Sequence, residues 1–223
     1  MIRTFCIKND NYDLNLKIYL LVRNVQDAKE LFGTKEYIEY IETSIENFKP
    51  TNEQEENDKK LILEFIKNND NVLYRENEYA HMTSSGLIFN DKLDKILMVH
   101  HNIYNTWSWT GGHADGEADL LAVAIKEAKE ETGVVNIRPL SAEIMSLDIL
   151  PVWGHMKKGK YVSSHQHLNV SYLLVASEED VLRIKEDENS NVGWIPINEI
   201  ETYCQEPQMI PIYQKLLQRA TVL

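Results

Sequence analysis

Cysteine is scarce in this chain: Cys6 and Cys204 are the only two among 223 residues, far apart and outside any Cys-x-x-Cys or Cys/His array. That argues against a disulfide framework and a zinc knuckle. Long apolar runs are lacking too. No stretch approaches the roughly 18 to 20 residues of a membrane span, so no membrane association is expected. The opening MIRTFCIK is too short an apolar segment for a secretory signal, and no small-residue cleavage site follows it, which makes the cytoplasm the expected address. Positive charge is in deficit. With 23 Lys and Arg against 35 Asp and Glu, the formal net charge is −12. A long nucleic acid is therefore not an expected partner, because it is bound through a basic surface that releases counterions. A small phosphorylated metabolite or nucleotide stays open, since a metal and a few basic side chains can meet its charge locally. Internal repeats and low-complexity tracts are absent.

A chain of this length holds one full-cored domain with an appendage, or two small domains. Helical period runs through KEYIEYIETSIENF, where Tyr37, Ile38, Ile41, Ile45 and Phe48 are apolar and Pro50 closes the stretch. A second helix is expected at Asp58–Lys67, with the polar KPTNEQEEN of residues 49–57 as the loop between them. Earlier, Leu14, Leu16, Ile18 and Leu20 alternate with polar residues, which favours a strand. Residues 1–78 thus read as a mostly helical N-terminal extension without visible chemistry, and as a natural place for a homodimer contact.

From Ala80 onward, short strand-like runs take over. Met82–Phe89 and Lys95–His101 flank the turn-like Asn90–Asp94 and read as a hairpin, followed by a run at Tyr104–Thr110. A helix is expected over Ala118–Thr132, stopped by Gly133 where a left-handed terminal residue belongs. Strands are expected at Ala142–Leu150, Gln166–Ala176 and Val192–Ile195, and a last helix at Gln208–Arg219. This order implies a mixed sheet with helices on its faces, an α/β (α+β) layer structure over residues 79–223.

The chemistry concentrates in GGHADGEADLLAVAIKEAKEETGV, residues 111–134. Glu127, Glu130 and Glu131 stand at i, i+3 and i+4, which on a helix places three carboxylates in one patch. Like charges so placed destabilise a helix, and the economical compensation is a hard divalent cation, Mg²⁺ or Mn²⁺, which takes oxygen ligands. Leu120, Leu121, Ala124, Ile125 and Ala128 form the apolar stripe beside them. The glycines ahead of the helix let backbone carbonyls turn toward a ligand. A solvated, salt-bridged surface helix is the bland account of KEAKEE taken alone, with Lys126 pairing Glu130 at i+4.

Joined to the glycines, the stretch resembles the Nudix box: Gly, five residues, Glu, seven residues, Arg-Glu, an aliphatic residue, any residue, Glu-Glu, any residue, Gly, aliphatic. Lys126-Glu127-Ala128-Lys129-Glu130-Glu131-Thr132-Gly133-Val134 matches its second half, with Lys in place of Arg and Ala at the aliphatic position. Counting back places the pattern's glycine at Gly112 and its early glutamate at Ala118, one residue after Glu117. Trp109-Thr110-Gly111-Gly112, His81–Ser85 and Asn191–Ile200 also look like landmarks of that domain, over about residues 79–215. The Gly-Gly-His start is similar to a subgroup with an N-terminal helical region.

The resemblance implies a Nudix-like α/β/α sandwich and a Mg²⁺-dependent hydrolase that cleaves a diphosphate linkage in a nucleoside diphosphate derivative or similar metabolite. It implies Glu130 and Glu131 as metal ligands with the Gly111 carbonyl, and Glu127 as a ligand of a second metal or as the residue that orients the attacking water. Lys126 replaces a forked arginine by a point charge. The absent acid at Ala118 and the Lys126 exchange keep open a second reading, a non-catalytic sensor of a nucleotide or sugar phosphate.

Other residues carry two readings each. His165 and His167 sit two apart on a strand and share a face, where they could line the substrate cleft or, given a third ligand, join a metal site. His113 follows the glycines and could contact phosphate or order the loop. Trp107 or Trp109 could stack on a base, with core burial as the alternative. Glu186, Asp187 and Glu188 are candidates for an extra acid or an ordinary solvated loop. Leu147–Gln166, with Lys157, Lys158 and Lys160, reads as a loop that either faces the substrate or connects through solvent.

Overall fold

The computed structural model describes residues 38–223 except Lys158, together with the strand segments Ile2–Cys6 (β1) and Lys17–Leu21 (β2). These two pair antiparallel, from Ile2↔Leu21 to Cys6↔Lys17. Of the expected N-terminal strand, Leu14 and Leu16 lie outside the described residues, as do residues 35–37 at the head of the first expected helix. Helix α1 covers 38–47, and α2 runs over Glu53–Asn68. Helix α2 starts at Glu53 rather than Asp58. Asn52 caps it by accepting the Glu55 amide at 2.9 Å, and Glu53, Glu55 and Glu56 fill its first turn, where the helix dipole favours acids.

The remaining strands are β3 (Ala80–Phe89), β4 (Lys95–His101), β5 (Thr106–Ser108), β6 (Thr110–His113), β7 (Ile137–Pro139), β8 (Ser146–Val152), β9 (His155–Lys157), β10 (Lys160–Val162), β11 (His165–Ala176) and β12 (Asn189–Pro196). The remaining helices are α3 (Leu120–Thr132), α4 (Ile200–Tyr203) and α5 (Ile210–Ala220). The main sheet runs β12-β4-β3-β11-β7, with β5 on β4, β6 on β3 and β8 on β11. Strands β3 and β11 are parallel, and the other ladders of this sheet are antiparallel. The expected loop at Leu147–Gln166 is instead most of β8, the β9–β10 hairpin and the first residues of β11. The hairpin pairs Lys160↔Lys157 through Val162↔His155.

Alternation along β3 and β11 feeds two cores. Met82, Ile88, Leu168, Val170 and Leu174 face Ile41 and Ile45 of α1, Ile62 and Ile66 of α2, and Leu120, Ala124 and Ala128 of α3. Leu87, Phe89, Leu173 and Val175 face Ile200 of α4 and Tyr213 and Leu216 of α5. Helices therefore cover both faces of a mixed sheet, an α/β/α sandwich. Strand β3 is buried along its whole length, as a central strand between two helical layers must be.

One buried ionic cluster ties α2 to α5. Glu55 is fully buried, and Arg219 grips it with two hydrogen bonds of 2.7 and 2.6 Å. Lys215 approaches the same carboxylate at 3.0 Å and Asp148 of β8 at 2.8 Å. Burial alone would raise the Glu55 carboxyl; Arg219, the Thr51 amide and Lys215 overcome that and hold it below its ordinary 4.5. The contribution of this group is complete above the unfolded carboxylate range and fades as pH falls through the folded value. Replacing Glu55 by Gln leaves a part-buried guanidinium without its counter-charge and should cost about 3 kcal/mol at pH 7. Urea unfolding should show that loss shrinking as the pH is lowered to 4; a loss independent of pH would mean the carboxylate charge is not what holds the cluster.

Candidate active site

Helix α3 carries the acids and is anchored at both ends. Asp119 caps its start by accepting the Ala122 amide at 3.0 Å, and Glu117 accepts the Asp119 amide at 2.9 Å. Gly133 ends it in the left-handed region, φ 80°, where its amide donates to the Lys129 carbonyl. The Ser84 hydroxyl donates to the Leu120 carbonyl at 2.6 Å and fixes the helix on β3.

The apolar stripe faces the core, and the acids flank it toward β6. Glu131 is 5% exposed and accepts the Gly111 amide at 3.1 Å. Gly112 leaves room for an acid of α3, and Gly111 for close pairing with β3. A Cβ on Gly112 would stand 2.4 Å from Glu127 Cδ, and one on Gly111 would stand 2.9 Å from the Ser84 carbonyl oxygen. Glu127 is buried and Glu130 is exposed. Lys126 reaches Glu127 at 3.1 Å and Glu130 at 3.5 Å, while Lys185 bridges Glu130 at 3.9 Å and Glu188 at 2.8 Å.

Among the described residues, no cation pairs with Glu131. Burial pushes its carboxyl up to about 8, and the neighbouring Glu127 charge adds to this against the pull of the Gly111 amide. Buried carboxylate oxygens short of positive charge, beside a glycine backbone, fit a hard oxygen-seeking cation of the Mg²⁺ or Mn²⁺ class.

The same cleft, of about 680 Å³, has a second wall of histidines. His113 ends β6, His81 begins β3, and His165 and His167 begin β11, where His167 lies beside His81 in register. Burial drives the imidazoles of His81, His113 and His167 below their ordinary range, His113 to about 3 and His167 to about 2, with the neighbouring Arg75 and histidines adding to it. These three rings are neutral at neutral pH. Arg75 forks onto Asp115 at 2.8 and 2.5 Å and holds that residue at φ 45° in the loop before α3.

All the expected site residues line this one cleft: Gly111, His113, Lys126, Glu127, Glu130, Glu131, His165 and His167. Of the acidic loop, Glu188 joins them. Lys157 of the expected lysine loop also lines it, from the β9–β10 hairpin, with Trp153 and Tyr161; Lys158 lies outside the described residues. His81, Arg75 and Lys185 were not singled out as site residues from sequence. His81 carried a local sign, a polar residue at a strand start, but its partners are fixed only by strand pairing. Trp109 touches the cleft but is 8% exposed and packs edge-on against Tyr213, ring centroids 5.4 Å apart. Trp107 packs edge-on against Tyr203. Ala118 is a core residue, 4% exposed.

The NUDIX domain family model matches residues 80–219, more than half of the chain, and the chain belongs to the Nudix family. Among solved structures it is similar to an Ap4A hydrolase of C. elegans in a binary complex, at 16% identity over 64% of this chain and 98% of that one, TM-score 0.45. It is also similar to a NUDIX-family hydrolase from Clostridium perfringens, at 20% identity over 63% of this chain and 97% of that one, TM-score 0.45. A third likeness is to the NUDIX domain of Shewanella oneidensis NrtR complexed with ADP ribose, at 18% identity over 62% of this chain and 87% of that one, TM-score 0.43. No curated protein matches the sequence.

The glycine contact yields a direct test. Gly112→Ala forces the Glu127 carboxylate aside and should weaken Mn²⁺ binding, followed by electron paramagnetic resonance, by about 10- to 100-fold. Unchanged affinity would show that Glu127 does not shape the cation site.

Proposed function

We propose that the chain is a divalent-cation-dependent hydrolase of a diphosphate linkage in a nucleotide derivative or similar phosphorylated metabolite. The observation that carries this reading is the convergence of Glu127, Glu130, Glu131 and the Gly111–Gly112 backbone on one cleft wall, with Glu131 buried and short of positive charge. Glu130 and Glu131, with the Gly111 carbonyl, would hold Mg²⁺ or Mn²⁺; Glu127 would hold a second ion or orient the attacking water. The bound cation supplies charge neutralisation at the phosphoryl oxygens and acidifies a bound water.

The chain's own residues do the rest. Lys126, Lys157, Lys185 and Arg75 offset substrate charge in a protein whose net charge is −12. His113, His165 and His167 line the wall beside the glutamates, and the neutral rings of His113 and His167 offer polar contacts without adding charge. Trp153 and Tyr161, 73% and 68% exposed at the rim, present aromatic faces of the kind a base stacks on.

A second reading, a sensor that binds such a ligand without turnover, is favoured by Ala118, whose buried place in the core carries no acid. One screen separates the two. Incubation with nucleoside diphosphate derivatives and Mg²⁺ or Mn²⁺ should release phosphate-containing products, and Glu130→Gln should lower the rate by about 100-fold or more. Tight ligand binding without product under either metal would select the sensor, and metal-independent turnover that survives Glu130→Gln would overturn the hydrolase assignment.

A further inference from the structure

We propose that His81, His165 and His167 form a second cation site, built of nitrogen donors, that takes a transition-metal ion of the Zn²⁺ class with a fourth coordination position open to the cleft. The parallel register sets His81 beside His167, and the two-residue step along β11 puts His165 on the same face. One ring nitrogen of each lies within 4.8 Å of those of the other two. The site stands whether or not the glutamate patch turns a substrate over.

Two of the ring protons are assigned by their partners. A carbonyl oxygen only accepts, so Nδ1 of His81, 2.9 Å from the Asn77 carbonyl, carries hydrogen, and so does Nδ1 of His165, 2.8 Å from the Ser163 carbonyl. With hydrogen on Nδ1, Nε2 is the nitrogen left in each ring to offer a lone pair to a metal. A backbone carbonyl on the far nitrogen is also the arrangement that orients a metal-binding imidazole. The decisive atom is His81 Nε2: the residue is 2% exposed and this nitrogen has no hydrogen-bond partner. Buried polar atoms are almost always satisfied, and an exception calls for a ligand or another cause.

The spacing agrees with a shared ion. His165 Nε2 and His167 Nε2 stand 3.3 Å apart. Two nitrogens bound at about 2.05 Å around one tetrahedral ion stand about 3.3 Å from each other. A proton shared between these two rings produces the same contact but leaves the His81 lone pair orphaned, whereas a cation satisfies all three. Imidazole donors suit Zn²⁺, Co²⁺ and Ni²⁺, while carboxylates suit Mg²⁺ and Mn²⁺, so donor type sorts two kinds of ion within one cleft. Three protein ligands leave a position for water or an anionic substrate oxygen, and His113, its ring 5.0 Å from those of His81 and His167, flanks that position.

Metal-stripped full-length protein, titrated with Zn²⁺ by calorimetry and with Co²⁺ by visible absorption, tests the assignment. Expected are one Zn²⁺ per chain at this site, held in excess Mg²⁺, and the intense absorption of tetrahedral Co²⁺. His167→Ala and the half-exposed His165→Ala should each weaken Zn²⁺ binding about 100-fold or more, while Glu130→Gln leaves it unchanged. Zn²⁺ should raise the thermal midpoint of the unsubstituted protein and not of His165→Ala, a readout that remains if the His167 variant fails to fold. Zn²⁺ binding that survives the His165 substitution, is lost with Glu130→Gln, or is missing at micromolar metal overturns the site.

Discussion

The parallel ladder between β3 and β11, in register from Ala80↔Gln166 to Phe89↔Val175, is the constraint on which the rest of the structure depends. Side-chain direction alternates along both strands, so this register decides at once which residues meet helices and which meet the cleft. On one face it stacks the apolar residues under α1, α2 and α3. On the other, it lines up His81 with His167 and Thr83 with Asn169, whose side-chain oxygen accepts the Thr83 hydroxyl at 3.0 Å and the Ser85 hydroxyl at 2.9 Å. A slip of one residue would send the histidines into the core and the core residues into the cleft. The buried hydrogen bonds from Thr83 and Ser85 to Asn169 resist such a slip, because both cross between the strands and are lost if these shift.

From that ladder the cleft acquires two walls of opposite character. Strand β6 pairs with β3 and carries Gly111 and Gly112 against α3, so the carboxylates gather where backbone can approach them. The start of β11 contributes the imidazoles of His165 and His167, the latter kept neutral by burial. Oxygen donors and nitrogen donors thus face one space, and lysines at its edge temper the acids. The cleft is itself acidic, because Lys126, Lys157, Lys185 and Arg75 are outnumbered there by Glu78, Asp115, Glu127, Glu130, Glu131, Glu188 and Glu206, so an anionic ligand would need bound cations beside it.

The parts of this arrangement that were legible in the sequence are those with local periodicity. Glu127, Glu130 and Glu131 announce themselves by helical spacing, Gly133 by its place after the last turn, and the β3–β4 hairpin by its turn residues. Helix α2 was half read: its apolar residues begin late, so its acidic first turn passed for a loop although Asn52 and the glutamates are a helix-start signal. The β9–β10 hairpin has no local signature, because each strand has three residues and its polar KKGK carries no period-two pattern. Nothing local marks Glu55 as buried, since its counter-charge Arg219 comes from the far end of the chain. His81 was visible only as a residue at a strand start; its meeting with His165 and His167 is a property of the ladder.

Ala118 shows how the departure from the family pattern is built into the packing. The residue lies in the core with Ala114 and Leu120, at the point where the loop turns into α3, and Glu117 beside it is engaged with the Asp119 amide at the helix start. Ala118 borders a separate cavity, beside Tyr40 of α1 and Arg219, and does not line the cleft of the glutamates, so the position supplies no acid to that cleft. Any further acid for the cleft must come from an element that already faces it. Glu188 meets that condition: it lines the cleft just ahead of β12, and Lys185 stands between it and Glu130. The lysine holds the two acids together while screening their repulsion, which keeps a carboxylate from outside α3 beside the three on that helix.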